Sequence, residues 1–403
     1  MSVAGSTGRR RRLGSAGVVG LAVAALALSA CSSSTDGSAV ATTSVKPPAP
    51  AAQVTFSPGD QVSPVTPITV KVANGKLTTV TVTNSAKGNT VKGDVSADGL
   101  TWTSSEPLGY GATYNVVADA TNADGKKTEQ KSTVTTVTPQ AQAYPALTPA
   151  PPGSGQTFGV GQIFGVSFDV AVTDKAAAEK ALTVTSTPAQ AGSWYWLDAK
   201  TVHYRPEKYW QAGTTVKLDA NLYGVNLGGG VYGKTDRSVT YTIHDSWVAQ
   251  ADGNTKQMAI LHNGAVVNTM PISLGKDSTP TQIGPHVISD KQQQVVMDSS
   301  TYGVKEGMPG YYKSTEYWDL RISNDGEFVH ENPNTVNQQG NSNVSHGCVN
   351  LSPENAQWFF NHFNLGDVVE VTNSGGGKLP LWDTFGDWEL SWPDWQKGSA
   401  LKG

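Results

Sequence analysis

Apolar and polar residues alternate with a period of two along most of this 403-residue chain, whereas the helical period is nearly absent. Alternation of this kind places successive side chains on opposite faces of a strand. The chain also contains 43 Gly and 22 Pro, which favour frequent turns between short elements. The sequence therefore predicts a mainly β fold, and its length suits two or three domains.

The first unit, residues 53–138, is predicted to be all β. Residues 68–72 and 79–83 alternate on either side of Asn74-Gly75, a pair typical of a tight primed turn, and so predict a β-hairpin. Two further alternating runs complete the unit, at residues 114–117 and 132–137. Length and strand spacing suit an immunoglobulin-like sandwich.

A second unit of similar size follows a proline-rich segment, residues 139–152, which we interpret as a hinge. Strand-like runs recur through residues 153–245, so the two units are expected to form tandem immunoglobulin-like sandwiches that act as a stalk. Glycine-rich stretches at residues 159–161 and 226–230 lack the spacing of a phosphate-binding loop. We expect both to be hairpin turns.

The third unit, residues 246–372, differs in kind because it contains the clearest helix signal. Ser352 can cap a helix, Pro353 suits its first turn, and Glu354 favours its dipole, so a helix is predicted over residues 352–363. That helix would start four residues after Cys348. Backbone N–H groups at such a turn favour a thiolate and can hold an oxyanion.

The N-terminus predicts export. Residues 9–12 are arginines, a short apolar run follows, and small residues precede Cys31, as in a secretory signal peptide. Leu-Ser-Ala-Cys also resembles the lipobox of bacterial lipoproteins, so we expect residues 1–31 to be a lipoprotein signal and Cys31 to carry lipid on the outer face of the cell membrane. The alternative is an ordinary signal peptide cut near Ala30. Residues 32–52 are rich in Ser, Thr, Ala and Pro and predict a flexible tether.

Charge excludes one class of partner. Charged residues make up 15% of the chain and the formal net charge is -4. A nucleic-acid-binding surface requires clustered basic residues, so no nucleic-acid partner is expected.

Cys348 is the candidate nucleophile. It lies in Ser345-His346-Gly347-Cys348-Val349-Asn350, and the only other cysteine is the one expected to be lipidated. A nucleophilic thiol needs a base or a cation beside it. His346 is two positions away and cannot easily turn to the thiol, so His330, from a separate strand, is the better general base; its other ring nitrogen then needs an acceptor such as a backbone carbonyl.

Spacing alone leaves alternatives open. One histidine and one cysteine occur together by chance in many chains, and His330, His346 and Cys348 could also supply three ligands to zinc. However, the residues after His330 lack the second histidine of H-E-x-x-H, and Pro333 would break the helix which that motif requires. We therefore expect neither a metal nor another cofactor.

The motif S-H-G-C-V-N-L, with an upstream strand that ends in His330, resembles the catalytic signature of the L,D-transpeptidases of bacterial cell walls. The order of lipoprotein signal, two immunoglobulin-like domains, catalytic domain and Trp-rich tail is similar to that of mycobacterial and related actinobacterial members. The resemblance implies Cys348 as nucleophile and His330 as base. The remaining residues that it implies for the oxyanion, the substrate or a lid over the site are Tyr312, Gly347, His346, Asn350, Ser345, Asp325, Gly326, Glu331, Met297, Tyr302 and Trp318.

Two departures from relatives matter. Some relatives have Ser after the catalytic histidine, where Glu331 stands here; a free carboxylate beside the imidazole would raise the pKa of His330. Some relatives also have carboxylates in the glycine-rich hairpin of the second sandwich, whereas residues 226–230 have none, so no metal is expected there.

The resemblance implies a two-step acyl transfer on peptidoglycan. A donor tetrapeptide stem would acylate Cys348 and release D-alanine, and the side-chain amine of a second stem would resolve the thioester into a 3→3 crosslink. Water as acceptor would make the same site an L,D-carboxypeptidase, and a protein amine would make it an attachment enzyme. Carbapenems are implied as covalent inhibitors. A non-catalytic wall-binding lipoprotein scaffold is the non-enzymatic alternative.

The tail, residues 373–403, holds Trp382, Trp388, Trp392 and Trp395. Four large apolar surfaces so close together rarely stay in water. We expect the tail to pack across the catalytic domain and the second sandwich; glycan binding is the alternative.

Overall fold

The computed structural model of the chain describes residues 46–150 and 157–401. Strands dominate these residues, and helices are few and short, so the predicted mainly β fold is confirmed. The expected signal peptide, residues 1–31, lies outside the described residues, as does Cys31. Among the helices of the described part, none has the length and apolar character needed to cross a bilayer.

The first unit is a sandwich of two sheets, ordered β1-β2-β5-β4 and β3-β6-β7. Its strands are β1 Gln53–Ser57, β2 Thr69–Ala73, β3 Lys76–Asn84, β4 Gly93–Val95, β5 Thr101–Ser104, β6 Thr113–Thr121 and β7 Lys127–Thr135. Inward-facing residues of both sheets, among them Val70, Trp102 and Val116, form its buried core. Alternation along each strand follows from having one face on this core and one in water.

The predicted hairpin around Asn74-Gly75 is wrong. Strand β2 pairs with β1 and β5, whereas β3 pairs with β6, so the turn leads the chain from one sheet to the other. Asn74 has a positive φ of 57°, as the turn chemistry predicts. Because alternation specifies which face of a strand is buried and not which strand it pairs with, the local sequence could not decide between the two arrangements.

The end of the expected tether is attached to the first sandwich. Asn122 Nδ2 donates hydrogen bonds to the carbonyl oxygens of Ala49 and Pro50, at 3.1 and 3.2 Å. Ala52 is buried in the core of the sandwich. The ordered part therefore begins before residue 53, where the sequence had placed the boundary.

The second unit is also a two-sheet sandwich, with sheets ordered β10-β17-β15-β12 and β13-β14-β11-β9. Its strands are β8 Ala141–Ala143, β9 Pro145–Thr148, β10 Thr157–Phe158, β11 Phe164–Phe168, β12 Leu182–Thr187, β13 Gly192–Trp196, β14 Thr201–Pro206, β15 Thr215–Ala220, β16 Val231–Gly233 and β17 Arg237–Ile243; helix α1 is Lys175–Lys180. The hinge expected over 139–152 is not borne out in its described part. Residues 145–148 pair with β11, and residues 141–143 pair with β16, so this segment already belongs to the second sandwich.

The third unit contains a five-stranded sheet, β20-β19-β18-β26-β21, and a four-stranded sheet, β22-β23-β24-β25. Its strands are β18 Trp247–Asp252, β19 Gln257–His262, β20 Ala265–Pro271, β21 Gly284–Val287, β22 Asp290–Asp298, β23 Lys313–Arg321, β24 Phe328–Glu331, β25 Val349–Leu351 and β26 Val368–Thr372. Helix α2, Pro353–His362, lies against β23 and β24 and shares their apolar core. The helix predicted over residues 352–363 is confirmed, including Ser352 as its N-cap.

The second sandwich docks directly on the third unit. Backbone N–H groups of Gly159 and Gly161 donate to Leu365 and Gly366 O, each at 2.8 Å. A Cβ at residue 159 would lie 2.2 Å from the backbone nitrogen of Asp367. Glycine is therefore required here for close approach between two units and not for a hairpin turn, which corrects the expectation for residues 159–161. Residues 228–230 do form a turn, closed by Leu227 and Val231.

The tail packs on the second sandwich, as expected, through helix α3, Trp392–Gln396. Trp395 is fully buried; its indole N–H donates to Ser193 O at 2.8 Å, and its ring stacks on Tyr195. The guanidinium of Arg205 lies over the rings of Trp388 and Trp395, 4.7 and 4.6 Å from their centroids. Trp382 alone of the four tryptophans in the tail is largely exposed, at 66%.

Candidate active site

Cys348 lies at the start of a buried strand. Strands β24 and β25 run parallel, with His330 beside Asn350, so the thiol emerges near the amino end of β24. Cys348 is partly exposed and is the only free cysteine in the described ranges. Its thiol lies 3.7 Å from the carbonyl oxygen of Gly326, to which it can donate a weak hydrogen bond. The nucleophile is therefore positioned by the sheet and by the turn before β24.

His330 is the histidine that contacts this thiol. It is buried, with 3% exposure, and its side chain lies beside that of Cys348 in the same cleft. Burial lowers the pKa of His330, but the contacts with Cys348 and Glu316 outweigh it and raise that pKa to about 10. An imidazole that keeps its proton beside a sulfur favours a thiolate–imidazolium pair. The pair supplies a nucleophile and an acid to a reacting carbonyl.

The partner of the second imidazole nitrogen is a carboxylate. His330 Nδ1 lies 3.4 Å from Glu316 Oε2, a distance within ion-pair range but without the geometry of a hydrogen bond. The sequence suggested a backbone carbonyl for this role and named Glu331 as the nearby acid. The structure instead brings Glu316 across from the adjacent strand, because β23 lies next to β24 in the sheet.

The loop that carries Cys348 is held by its own serine. Ser345 Oγ donates to Cys348 O at 2.7 Å and accepts from the Gly347 N–H at 3.1 Å. Gly347 has a φ of +131°, which a side chain would strain. The Gly347 N–H is bonded to Ser345 in this structure, and its implied role as an oxyanion donor stays a prediction.

His346 points away from the thiol and toward the rim. Its ring stacks on Tyr312, with centroids 5.4 Å apart. Its Nε2 lies 3.2 Å from Lys276 Nζ. Burial lowers the pKa of His346, and the positive charge of Lys276 lowers it further. The neutral imidazole accepts a hydrogen bond from the ammonium group. Tyr312, implied for the oxyanion, lines the cleft with Cys348, whereas its neighbour Tyr311 does not.

The thiol opens into a cleft of about 270 Å³. Asn350 forms part of its wall and is fixed by a 3.3 Å hydrogen bond from Nδ2 to Thr335 Oγ1. The residues that line the cleft are Met297, Tyr312, Ser314, Glu316, His330, Asn332, Thr335, Val344, Ser345, His346, Cys348 and Asn350.

A second cavity, of about 410 Å³, lies on the other side of Tyr312 and Met297, which line both spaces. Asp325 and Gly326 border this second cavity, together with Arg321. Gly326 also accepts from the thiol. The nucleophile therefore lies near two separate spaces, which suits a reaction with two substrates.

Two residues implied for the lid, Trp318 and Tyr302, differ in how much of them the structure describes. Trp318 lines neither cavity; its ring packs edge-on against Phe360 of α2, with centroids 5.3 Å apart, in the apolar core. Trp318 also has a positive φ of 58°. Tyr302 ends a 3-10 turn, Ser299–Tyr302, and its side chain lies outside the described part of the structure.

Sequence reasoning missed the acids on β23. Glu316 and Asp319 have no motif around them, and only a strand register would have placed them beside His330. The one available signal was a carboxylate in an alternating run just upstream of the His330 strand. Within the described residues, no cluster of three or more His, Cys, Asp or Glu side chains has the geometry to hold a metal ion.

Comparisons with known proteins agree with these features. Residues 59–226 match the family described as bacterial Ig domain, and residues 246–371 match the family described as L,D-transpeptidase catalytic domain. The chain is 43% identical over 334 residues to L,D-transpeptidase 2 of Mycobacterium tuberculosis, covering 83% of this chain and 81% of that protein. It is 38% identical over 366 residues to L,D-transpeptidase 5 of the same species, covering 88% of this chain and 79% of the relative.

Among solved structures, the chain is similar to an LD transpeptidase determined in complex with imipenem. The two are 33% identical, the alignment covers 57% of this chain and 99% of that one, and the TM-score is 0.49.

Proposed function

The chain belongs to the L,D-transpeptidase family, and we propose that it forms 3→3 crosslinks between peptidoglycan stem peptides through an acyl-enzyme on Cys348. The observation that carries this proposal is the pairing of Cys348 with the buried His330 in one cleft, which is bordered by the S-H-G-C loop. A scaffold protein has no need for a partly exposed thiol beside a buried histidine whose pKa is raised.

In the first half of the reaction, the Cys348 thiolate attacks the carbonyl carbon of the third residue of a donor tetrapeptide, at the L-centre of diaminopimelate. The carbon–nitrogen bond to the terminal D-alanine breaks, and the His330 imidazolium gives its proton to the leaving amine. The products of this half are a thioester and free D-alanine. The raised pKa of His330 suits it to act first as the acid.

In the second half, the side-chain amine of an acceptor stem attacks the thioester carbonyl, and neutral His330 takes the proton of that amine. The carbon–sulfur bond breaks and the Cys348 thiolate is restored beside the imidazolium. The two cavities that share Tyr312 and Met297 give room for a donor and an acceptor on different sides of the thiol.

The test is mass spectrometry of a muropeptide tetrapeptide incubated with the purified protein and with its Cys348→Ala variant. The proposal expects a crosslinked dimer, with loss of alanine, only from the protein that has the thiol. Alanine loss without a dimer would favour the L,D-carboxypeptidase instead. If neither protein changes the peptide while the thiol is reduced, the result supports the non-catalytic scaffold instead.

The same thiol is proposed as the target of carbapenems. Their strained β-lactam carbonyl is an acyl donor, and attack by Cys348 opens the ring without a leaving group, so the adduct keeps the full mass of the drug. Intact-protein mass spectrometry should therefore show one added carbapenem on the protein and none on Cys348→Ala.

We also propose that the protein is exported and lipid-anchored to the outer face of the cell membrane through Cys31, with the catalytic unit facing the wall. The support is the sequence alone: basic residues, a short apolar run and Leu-Ser-Ala-Cys. Metabolic labelling with palmitate should mark the protein in its host, and Cys31→Ala should abolish the label and release the protein from the membrane fraction. A secreted, unlabelled protein would support the ordinary signal peptide.

A further inference from the structure

The catalytic histidine is surrounded by acids that the two-residue mechanism does not use. The titratable groups around His330 are Cys348 before β25, Glu316 and Asp319 on β23, and Glu331 beside it on β24. Three carboxyl groups near one imidazole are costly to bury unless their charges differ or are paired. Their protonation states therefore decide how the imidazole behaves.

Glu316 is the acid that faces the imidazole. Its Oε2 lies 3.4 Å from His330 Nδ1, and that ring nitrogen has no hydrogen-bond partner within the described part of the chain. The Glu316 side chain is 15% exposed, so solvent screens this pair only weakly. Burial raises the pKa of the Glu316 carboxyl, but the contacts with His330 and Ser314 outweigh it, and the net pKa lies below the ordinary value. Glu316 is therefore the charged member of the group.

Asp319 is in the opposite situation. It is 1% exposed, and neither of its carboxylate oxygens has a hydrogen-bond partner among the described residues. Burial, followed by the charges of Glu316 and Glu331, raises the pKa of Asp319 to about 7, although His330 opposes this. Two neighbouring carboxyl groups with pKa values driven apart have different tasks.

We propose that Glu316 is a positioning residue for the catalytic pair: its carboxylate orients the His330 imidazole and stabilises its positive charge, while the buried carboxyl group of Asp319 stays neutral beside it. This inference rests on the proposed function, because it assigns roles around the same nucleophile. It replaces the backbone carbonyl expected for the second ring nitrogen with a side chain from the neighbouring strand.

The competing role for Glu316 is substrate binding. Glu316 also lines the cleft, where a carboxylate could pair with the acceptor amine. A residue that only binds the acceptor changes the KM for that substrate, whereas a residue that acts through His330 changes kcat and the pH profile of the thiol. The two roles are therefore separable by kinetics.

The experiment compares Glu316→Gln, Glu316→Asp and Asp319→Asn in the full chain. Asp245→Asn is the matched control, since it removes a carboxylate 3.2 Å from another histidine, His262. Two quantities are measured across pH: kcat and acceptor KM for crosslinking, and the rate at which iodoacetamide alkylates Cys348, read by mass spectrometry on the peptide that contains it. Circular dichroism and melting curves verify that each variant is folded.

Glu316→Gln is expected to lower kcat at least roughly tenfold, a part of the about 10²–10⁴ that a positioned acid or base contributes, while acceptor KM changes less than about twofold. Loss of the negative charge should lower the pKa of His330. The alkaline limb of the alkylation profile, which reports that pKa, should therefore move at least about one pH unit lower, since a nearby opposite charge shifts a pKa by about that much or more. Glu316→Asp keeps the charge, so it should retain the alkaline limb but not the full kcat. Asp319→Asn mimics the neutral acid and should keep most activity below about pH 7.

The inference is overturned if Glu316→Gln raises acceptor KM but leaves kcat and the alkylation profile unchanged, which would make Glu316 a substrate-binding residue. It is equally overturned if all readouts match Asp245→Asn. If the wild-type protein forms no crosslink but its Cys348 alkylation profile still shifts with Glu316→Gln, the proposed reaction fails while the positioning role stands. If Glu316→Gln does not fold, the retained alkaline limb and lowered kcat of Glu316→Asp carry the test.

Discussion

The carboxylate of Asp383, in the C-terminal tail, accepts a hydrogen bond of 2.5 Å from the hydroxyl of Ser323. Ser323 is the first residue of the turn, residues 323–326, that reaches the active site. The other carboxylate oxygen of Asp383 accepts from the backbone N–H of Asn324. Two residues further on, the carbonyl oxygen of Gly326 lies 3.7 Å from the Cys348 thiol. Asp383 is fully buried, so the tail holds the turn on which the nucleophile rests.

Asp383→Ala should therefore reduce both stability and activity. The change leaves the buried hydroxyl of Ser323 without its acceptor, which costs about 1–3 kcal/mol, and it also removes the acceptor of the Asn324 N–H. We expect a lower melting temperature and slower alkylation of Cys348, because the 323–326 turn is no longer fixed. Asp94→Ala is the control, since Asp94 is an exposed carboxylate on strand β4 of the first sandwich. Unchanged alkylation in Asp383→Ala would show that the turn keeps its position without the tail.

The tail should also support the second sandwich through Trp395. Truncation of a fully buried aromatic side chain costs about 3–5 kcal/mol, and here the hydrogen bond to Ser193 is lost as well. Trp395→Ala should lower the free energy of unfolding by about that amount in chemical denaturation. Trp382→Ala, at a tryptophan that is 66% exposed, should change it by no more than about 0.5 kcal/mol. Equal effects of the two variants would contradict the packing described for the tail.

Close approach at Gly159 predicts a different kind of defect. A Cβ there would lie 2.2 Å from the backbone of Asp367, so the second sandwich cannot keep its contact with the catalytic unit. Gly159→Ala should cost about 1–3 kcal/mol or more, as overpacking generally does. Gly59→Ala is the matched control, because a Cβ there meets nothing within 4 Å. Limited proteolysis between the two units should accelerate only in Gly159→Ala, and resistance equal to that of the control would argue against the contact.

The raised pKa of Asp319 predicts how stability depends on pH. An acid whose pKa is 3.8 when unfolded and about 7 when folded binds more protons in the folded state between these values. Its contribution to stability is therefore present at low pH and is lost as pH rises from about 4 to about 7, by at most about 1.4 kcal/mol for each pH unit. Asp319→Asn removes this pH-dependent contribution to stability.

The measurement for Asp319 is a melting temperature series from pH 5 to pH 8 for the wild-type protein and Asp319→Asn. The melting temperature of the variant should rise relative to that of the wild type as pH rises through this window, whatever their difference at pH 5. A difference that stays constant with pH would show that the Asp319 carboxyl ionises normally in the folded protein.

Much of the active site could be predicted because its chemistry is contained in a short segment. Cys348, His346 and Ser345 are neighbours in sequence, and the Ser352 cap that begins α2 is a local signal, so both were read without knowledge of the fold. His330 was found because only a residue from another strand can face the thiol. In contrast, the oxyanion role of Gly347 is implied by the resemblance alone and stays a prediction, since its N–H is bonded to Ser345 in this structure.

Pairing between distant strands decided what the sequence left open. Alternation predicted strands at residues 68–72 and 79–83, but the two strands do not pair with each other as expected. A period of two carries no information about which other strand a strand pairs with. The same lack of register hid Glu316, which faces His330 only because β23 and β24 are adjacent. Trp318 was expected over the cleft, yet it packs against the core beside Phe360 of α2.

The sequence by itself determined the elements and singled out Cys348 and His330 as the candidate catalytic pair, because these depend on residues close together in the chain or on the period of side chains along a strand. Only the tertiary structure decided which acids surround His330 and how the tail reaches the active site. Those contacts join residues far apart in the chain, such as Asp383 and Ser323, and their geometry depends on the packing of whole sheets against one another.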